Sequence, residues 1–456
     1  MNSSKKTMRT LREAAGAGPN KNEDKIMMTN KMVTRIATGF LLAALFFGAS
    51  AAQTLIAAQL QAGDTVAICG DSITEQKLYS VFIEDYLLMC QPAPDLKAHQ
   101  FGWSGEKADG FLNRMSAEVL PFGPTVATTC YGMNDGAYAA IDPARQEAYR
   151  RNTQAIIKAF REGGVRFIVI GSPGLVDTDT FDQIGGRKYS ATNYNNTLAD
   201  LARIAREVAT ERGVAYADVY TPMAMVMKAA KAKSGPAYHV AGTDGIHPAA
   251  NGHLIMAYAF LKALGCSGEI GTITWDAKTG VATATAGHQI LSVSNGRIKI
   301  ESTRYPFCFF GSPADPNSTK GVLEFLPFNE DLNRFRLVVT NGGTTRFKVT
   351  WGNESKVFGA AQLAQGVNLV AEFMDNPFAE PFAFVDKVVR EQQAFETPGV
   401  KNILHNLPEW SSLLPEEKAA LDRLKAATVQ KAKALGQASR AAVVPVKYVI
   451  KIESAD

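Results

Sequence analysis

From Gly63 to Gly265, short apolar runs alternate with longer segments whose apolar residues recur about every 3.6 positions. The runs TVAICG (65–70), LKAHQFG (96–102), TVATTCYG (125–132), RFIVIGS (166–172) and VAYADVY (214–220) have strand character. Between them, KLYSVFIEDYLLMC, KADGFLNRMSAEVL, PARQEAYRRNTQAIIKAF and YNNTLADLARIAREVATERG carry the helical spacing. Strands alternating with helices of this length predict βαβ units, hence an α/β fold with a parallel sheet covered on both faces. Ligands of such sheets bind beyond the carboxyl ends of the strands. CGDSIT, FGWSGE and YGMNDG each begin where a predicted strand ends, so the fold alone brings them to one rim.

After Gly265 the period changes. Residues 268–351 alternate β-formers with Gly, Asn and Asp turns, as in ILSVSNGRIKIES and FRLVVTNGGTTRFKVTWG, which predicts an antiparallel β module built as a small sandwich. Residues 376–440 return to helical spacing. In LPEEKAALDRLKAATVQKAKAL, Pro415, Glu416 and Glu417 suit a helix start, and the later lysines form a solvated face rather than a basic patch. The predicted division is an N-terminal extension with signal peptide (1–52), a complete α/β domain (53–267), a β-rich accessory module (268–375) and a helical C-terminal region (376–456).

A chain of 456 residues with 46% apolar composition is long enough for several buried cores. Its formal charge of +4 resides in the first 52 residues, where eight Lys or Arg face three acids; that excess of five leaves the remainder at −1. Nucleic-acid binding therefore lacks its electrostatic basis. The basic start precedes IATGFLLAALFFGASAAQT, in which Ile36 to Phe47 form a short apolar core and Ala49-Ser50-Ala51 a small-residue cleavage pattern. It reads as a secretory signal peptide cleaved near Ala51-Ala52, so the mature chain is expected to be secreted or periplasmic. The run is shorter than the roughly 20 residues that span a bilayer, and no stable membrane insertion is expected after cleavage. Cys69, Cys90, Cys130, Cys266 and Cys308 show no Cys-x-x-Cys spacing, and the histidines no His-Glu-x-x-His pair. The cysteines read as buried thiols, and a catalytic metal is not expected.

Ser72, just after the first predicted strand, reads by itself as a helix cap. The stretch TDGIHPAANGH changes that reading. Asp244 and His247 stand three residues apart with Gly245 between, a spacing at which a turn folds the carboxylate onto the imidazole of the same segment. The carboxylate would hold Nδ1–H and leave Nε2 to take a proton from a serine. Neighbouring His253 reads as structural. Acyl transfer also requires donors for a tetrahedral oxyanion. Gly105 in FGWSGEK leaves its backbone N–H open to substrate, and Asn134 in YGMNDG offers an uncharged amide donor. Trp103, Tyr131 and Tyr238 are candidates either to line the site or to pack the core.

Taken together, these residues resemble the SGNH, or GDSL-type, serine hydrolases. GDSIT matches the nucleophile block, WSGEK the glycine block, GMND the Gly-x-Asn-Asp block and DGIHP the Asp-x-x-His block, with Ile where the family name has Leu. The resemblance covers residues 63–265. It implies a flavodoxin-like three-layer α/β/α sandwich, Ser72 as nucleophile, Asp244 and His247 completing a triad, and an oxyanion hole of Gly105, Asn134 and the Ser72 N–H. No metal or organic cofactor is implied. Gly70 reads as the residue that lets the strand turn sharply, and Asp71 and Asp135 as loop organisers. The expected function is hydrolysis of carboxylic esters through an acyl-enzyme, on O-acetyl groups of carbohydrate, with a small-molecule or polysaccharide ester as partner. A lipid or aryl esterase, an acyltransferase with the same site, and a noncatalytic glycan-binding protein are the alternatives. Oligomeric state is not readable from the sequence.

Overall fold

Alternate residues of the central strands enter two different cores. Val66, Ile68, Val126 and Val169 pack into one, and Ala67, Cys69, Ala127 and Ile170 into the other, which is why these strands read as continuous apolar runs. The computed structural model describes residues 60–183 and 189–456, all within one compact unit. The predicted signal peptide and cleavage point lie outside the described residues. Strands β1 (Thr65–Gly70), β2 (Lys97–Gly102), β3 (Val126–Cys130), β4 (Phe167–Gly171) and β5 (Ala215–Ala217) form a parallel sheet in the order β2-β1-β3-β4-β5. Helices Tyr79–Asp85 and Ala250–Ala263 contribute to the first core, and helices Ala108–Glu118 and Pro143–Glu162 to the second. The α/β/α architecture expected from the alternating pattern is the one observed.

The C-terminal strands are β6 (Glu269–Asp276), β7 (Ala282–Ala284), β8 (His288–Ser294), β9 (Arg297–Ser302), β10 (Arg334–Thr340), β11 (Arg346–Trp351), β12 (Glu354–Gly359), β13 (Val367–Asn368) and β14 (Val446–Ser454). They form one sheet in the order β13-β10-β6-β7 and another in the order β12-β11-β14-β9-β8. Phe335 of the first packs on Trp351 and Tyr448 of the second, with ring centroids 5.7 and 6.5 Å away. Two expectations are corrected here. The first sheet is not wholly antiparallel, because β6 and β10 run parallel. The C-terminal region is not wholly helical, because its end forms β14, whose alternating Val446, Tyr448, Ile450 and Ile452 are buried between β9 and β11.

Helix Ala379–Pro398 lies along the outer edge of β2 and supplies what an unpaired edge lacks. Gln392 Nε2 donates to the Ala98 carbonyl at 3.0 Å, and Glu396 Oε2 accepts the Gln100 N–H at 2.9 Å. The same helix holds a buried acid of the α/β domain: Gln392 and Gln393 donate to the two Glu84 oxygens at 2.9 and 2.7 Å. Burial pushes the Glu84 carboxyl well up from its ordinary range, with the nearby Glu396 carboxylate adding to the rise. The core and its polar bonding thus run continuously across residue 267.

Candidate active site

Gly70 of β1 is in register with Gly102 of β2 and with Cys130 of β3, so three loops leave the sheet side by side. A Cβ on Gly102 would fall 2.2 Å from the Glu75 backbone nitrogen, and one on Gly70 2.1 Å from Thr74 Oγ1. Glycine here permits close approach of the short helix Ser72–Glu75 to the strand ends. The chain passes from β1, ending at Gly70, to the helix that begins at Ser72 within two residues. The cap of this helix is Asp71, whose Oδ1 accepts the Ile73 N–H at 3.0 Å. Ser72 is thereby left with its hydroxyl at the half-buried rim.

Ser72 Oγ stands 2.8 Å from His247 Nε2, and His247 Nδ1 stands 2.6 Å from Asp244 Oδ2. Asp244 Oδ1 accepts the backbone N–H groups of Ile246 and His247 at 2.9 and 2.8 Å, which closes the turn that the spacing predicted. Burial opposes ionisation of Asp244. The hydrogen bonds from His247 and Ile246 outweigh it and hold the carboxyl below its ordinary range. An ionised Asp244 accepts a hydrogen bond from Nδ1–H, so the Nε2 lone pair faces the serine hydroxyl.

Gly105 has φ +74 with open space where a side chain would point, a conformation that favours glycine and leaves its N–H unscreened. Its loop is anchored by the two residues that precede it. The Trp103 N–H donates to the Gly70 carbonyl at 2.9 Å, and the Ser104 N–H donates to the Glu75 carboxylate. Asn134 Nδ2 donates to the Glu106 carbonyl at 3.1 Å and lies 3.4 Å from Asp71 Oδ2. The longer contact is the weaker of the two. Asp135 accepts the N–H groups of Ala108 and Gly132 at 3.1 and 3.0 Å and so ties the glycine loop to the asparagine loop. Burial pushes the Asp135 carboxyl up to about 6. It pushes Asp71 to about 7, with the carboxylates of Asp135 and Glu106 adding to the rise.

A cavity of about 440 Å³ opens beside Gly105, lined among others by Trp103, Lys107, Asp109, Asn113 and His405. Trp103 therefore belongs to the site's surroundings. Tyr131 is buried and donates to Glu106 at 2.7 Å, while Tyr238 donates to the Gly321 carbonyl, beyond the α/β domain, at 3.1 Å. Sequence reasoning missed Glu75, Glu106 and His405. Glu75, three positions after Ser72 on the same helix, had a local signal in its spacing; His405 had none.

His253 is fully buried, accepts the Tyr79 N–H at Nδ1 and pairs with Gln76 Oε1 through Nε2. Burial lowers its pKa to about 3, against about 6.5 for an unfolded histidine. Between these values the unfolded chain binds a proton at His253 that the folded chain refuses, so the contribution of His253 to stability falls as pH falls below about 6.5. The expected loss is roughly 2 kcal/mol at pH 5. The check is the change that His253→Gln makes in the difference between urea midpoints at pH 5 and 7, because Asp71 and Asp135, held up at about 7 and 6, move the wild-type difference the opposite way; a variant with an unchanged difference would remove His253 from the pH dependence.

The family model of GDSL-like lipases and acylhydrolases matches residues 68–255. A gut microbial diltiazem-metabolizing enzyme shares the fold, with TM-score 0.65 and 22% identity over 87% of this chain and 98% of its own. An α/β hydrolase enzyme from the metagenome of Lake Arreo, Spain, gives TM-score 0.37 and 21% identity over 46% of this chain and 98% of its own. An acetylxylan esterase from Geobacillus stearothermophilus gives TM-score 0.37 and 17% identity over 45% of this chain and 96% of its own. No curated protein matches the chain.

Proposed function

Residues 68–255 form a GDSL-like lipase/acylhydrolase domain and the chain is an ester-hydrolysing enzyme; on that premise we propose that it is an exported serine esterase removing O-acetyl groups from carbohydrate. The observation that carries the reading is the unbroken hydrogen-bond chain from Ser72 Oγ through His247 to Asp244. Ser72 Oγ attacks the ester carbonyl while its proton passes to His247 Nε2, and Asp244 stabilises the imidazolium. The oxyanion is held by the N–H groups of Ser72 and Gly105 and by Asn134 Nδ2. Collapse breaks the carbon–alkoxide bond, and the departing alcohol takes the proton from His247. Water then repeats the sequence on the acyl-enzyme and frees Ser72.

The cavity beside Gly105 supports a polar alcohol, because Lys107, Asp109, Asn113 and His405 offer hydrogen-bonding groups along its wall. The basic, apolar and small-residue order of residues 27–52 supports export. A fluorophosphonate probe is expected to label Ser72, and acetylated polysaccharide and short-chain nitrophenyl esters to be cleaved faster than long-chain ones. Preference for long chains would replace carbohydrate by lipid, and absence of labelling would favour a glycan binder. Asn134→Ala should lower kcat by about 100-fold or more with a smaller change in KM, since its amide serves mainly the transition state. A selective rise in KM would make Asn134 a substrate-binding group instead.

A further inference from the structure

We infer that Lys401, in the C-terminal region, is a positioning residue for the oxyanion hole; the inference rests on the Ser72 acyl-enzyme reading above. Lys401 lies far beyond the matched residues 68–255. Its Nζ nevertheless stands 2.7 and 2.8 Å from the two carboxylate oxygens of Glu75, the last residue of the helix that Ser72 begins. The Glu75 carboxylate in turn accepts the Ser104 N–H, one residue before Gly105. The ammonium also lies 4.7 Å from the centroid of the Trp103 ring, within cation–π range. One cation thus joins the nucleophile helix to both residues that precede the oxyanion glycine.

The rest of the segment fixes the strand feeding that loop. Glu396 accepts the Gln100 N–H at 2.9 Å, and Thr397 Oγ1 accepts from Gln100 Nε2 at 2.6 Å. Gln100 Oε1 accepts the Gly102 N–H at 2.9 Å. Thr397 also accepts from Lys77 Nζ, which donates to the Glu75 carbonyl. Residues 396–401 thus supply polar partners to the nucleophile helix, to β2 and, through Glu75, to the Gly105 loop.

The Lys401–Glu75 pair has side-chain exposures of 22% and 21%, so as an ion pair it adds little to stability. Its effect is geometric. An oxyanion donor acts at hydrogen-bond distance, and a displacement of about 1 Å costs on the order of 100-fold in rate. Releasing Glu75 lets the Ser104–Gly105 peptides drift without unfolding anything. The loss then falls on transition-state stabilisation and spares substrate binding.

The test uses the full-length chain with 4-nitrophenyl acetate and a fluorophosphonate probe. Lys401→Met is expected to lower kcat and the labelling rate by about 10-fold, a fraction of the full misplacement cost, with KM held within about 2-fold. Lys401→Arg should restore most of the rate. Glu75→Gln with Lys401→Met should lose no more than the worse single variant, since both cut one relay. If Lys401→Met does not fold, Glu75→Gln probes the same joint from the other side, with the same fall in kcat expected. A folded Lys401→Met or Glu75→Gln variant with wild-type kcat, or with lowered melting temperature alone, would overturn the positioning role. A wild-type protein that neither labels nor turns over would overturn the Ser72 reading and this inference with it.

Discussion

Ser72→Ala is expected to lose esterase turnover by about 10⁴-fold or more while keeping its melting temperature close to that of the wild type. The size follows from removing the atom that forms the covalent bond; only binding and the oxyanion donors then remain to accelerate the reaction. The stability expectation follows from the packing. Ser72 is half-buried, and the Asp71 cap and the glycine contacts that seat its helix do not involve the hydroxyl, which meets His247 alone. His247→Ala should cost a similar factor, and the double variant little more than either, because nucleophile and base act as one unit. Steady-state kinetics alongside thermal melts separate these effects. Retained turnover in Ser72→Ala would remove the serine from the chemistry.

A chain ended at residue 267 is expected to aggregate, although Ser72, Gly105, Asn134, Asp244 and His247 all precede that point. Truncation removes helix Ala379–Pro398 and so bares the edge of β2, where Ala98 and Gln100 are bonded by Gln392 and Glu396. It also strips Glu84 of both glutamine donors, and an unpartnered buried polar group costs about 1–3 kcal/mol or more if charged. Apolar side chains on both sides of the cut share one core, so a hydrophobic face is exposed as well. Sedimentation and far-ultraviolet circular dichroism of residues 53–267 measure the outcome. A soluble, monomeric fragment that cleaves small acetyl esters would show that the α/β domain folds without its C-terminal cover.

Much of this was legible because it is local. The five parallel strands announced themselves as short apolar runs, since residues on both of their faces are buried. The Asp244–His247 pair announced itself because a three-residue turn is closed by its own backbone. Strand β14 was equally open to a period-two reading of VKYVIKI, but the helical spacing before it masked the change. The parallel pairing of β6 with β10 had no such signature, because pairing partners distant in sequence leave no mark on either strand.

The sequence by itself determined the α/β class and the rim on which three motifs meet, and it singled out the serine, glycine, asparagine, aspartate and histidine proposed to act there. Periodicity and short turns depend on neighbours within a few residues, and the chain states those directly. Only the tertiary structure decided what surrounds them. Lys401 meets Glu75 across 326 positions, and Gln392 meets Glu84 across 308. Such contacts depend on where two surfaces come to rest, which is fixed by the burial of whole faces and the need to satisfy every polar group they cover.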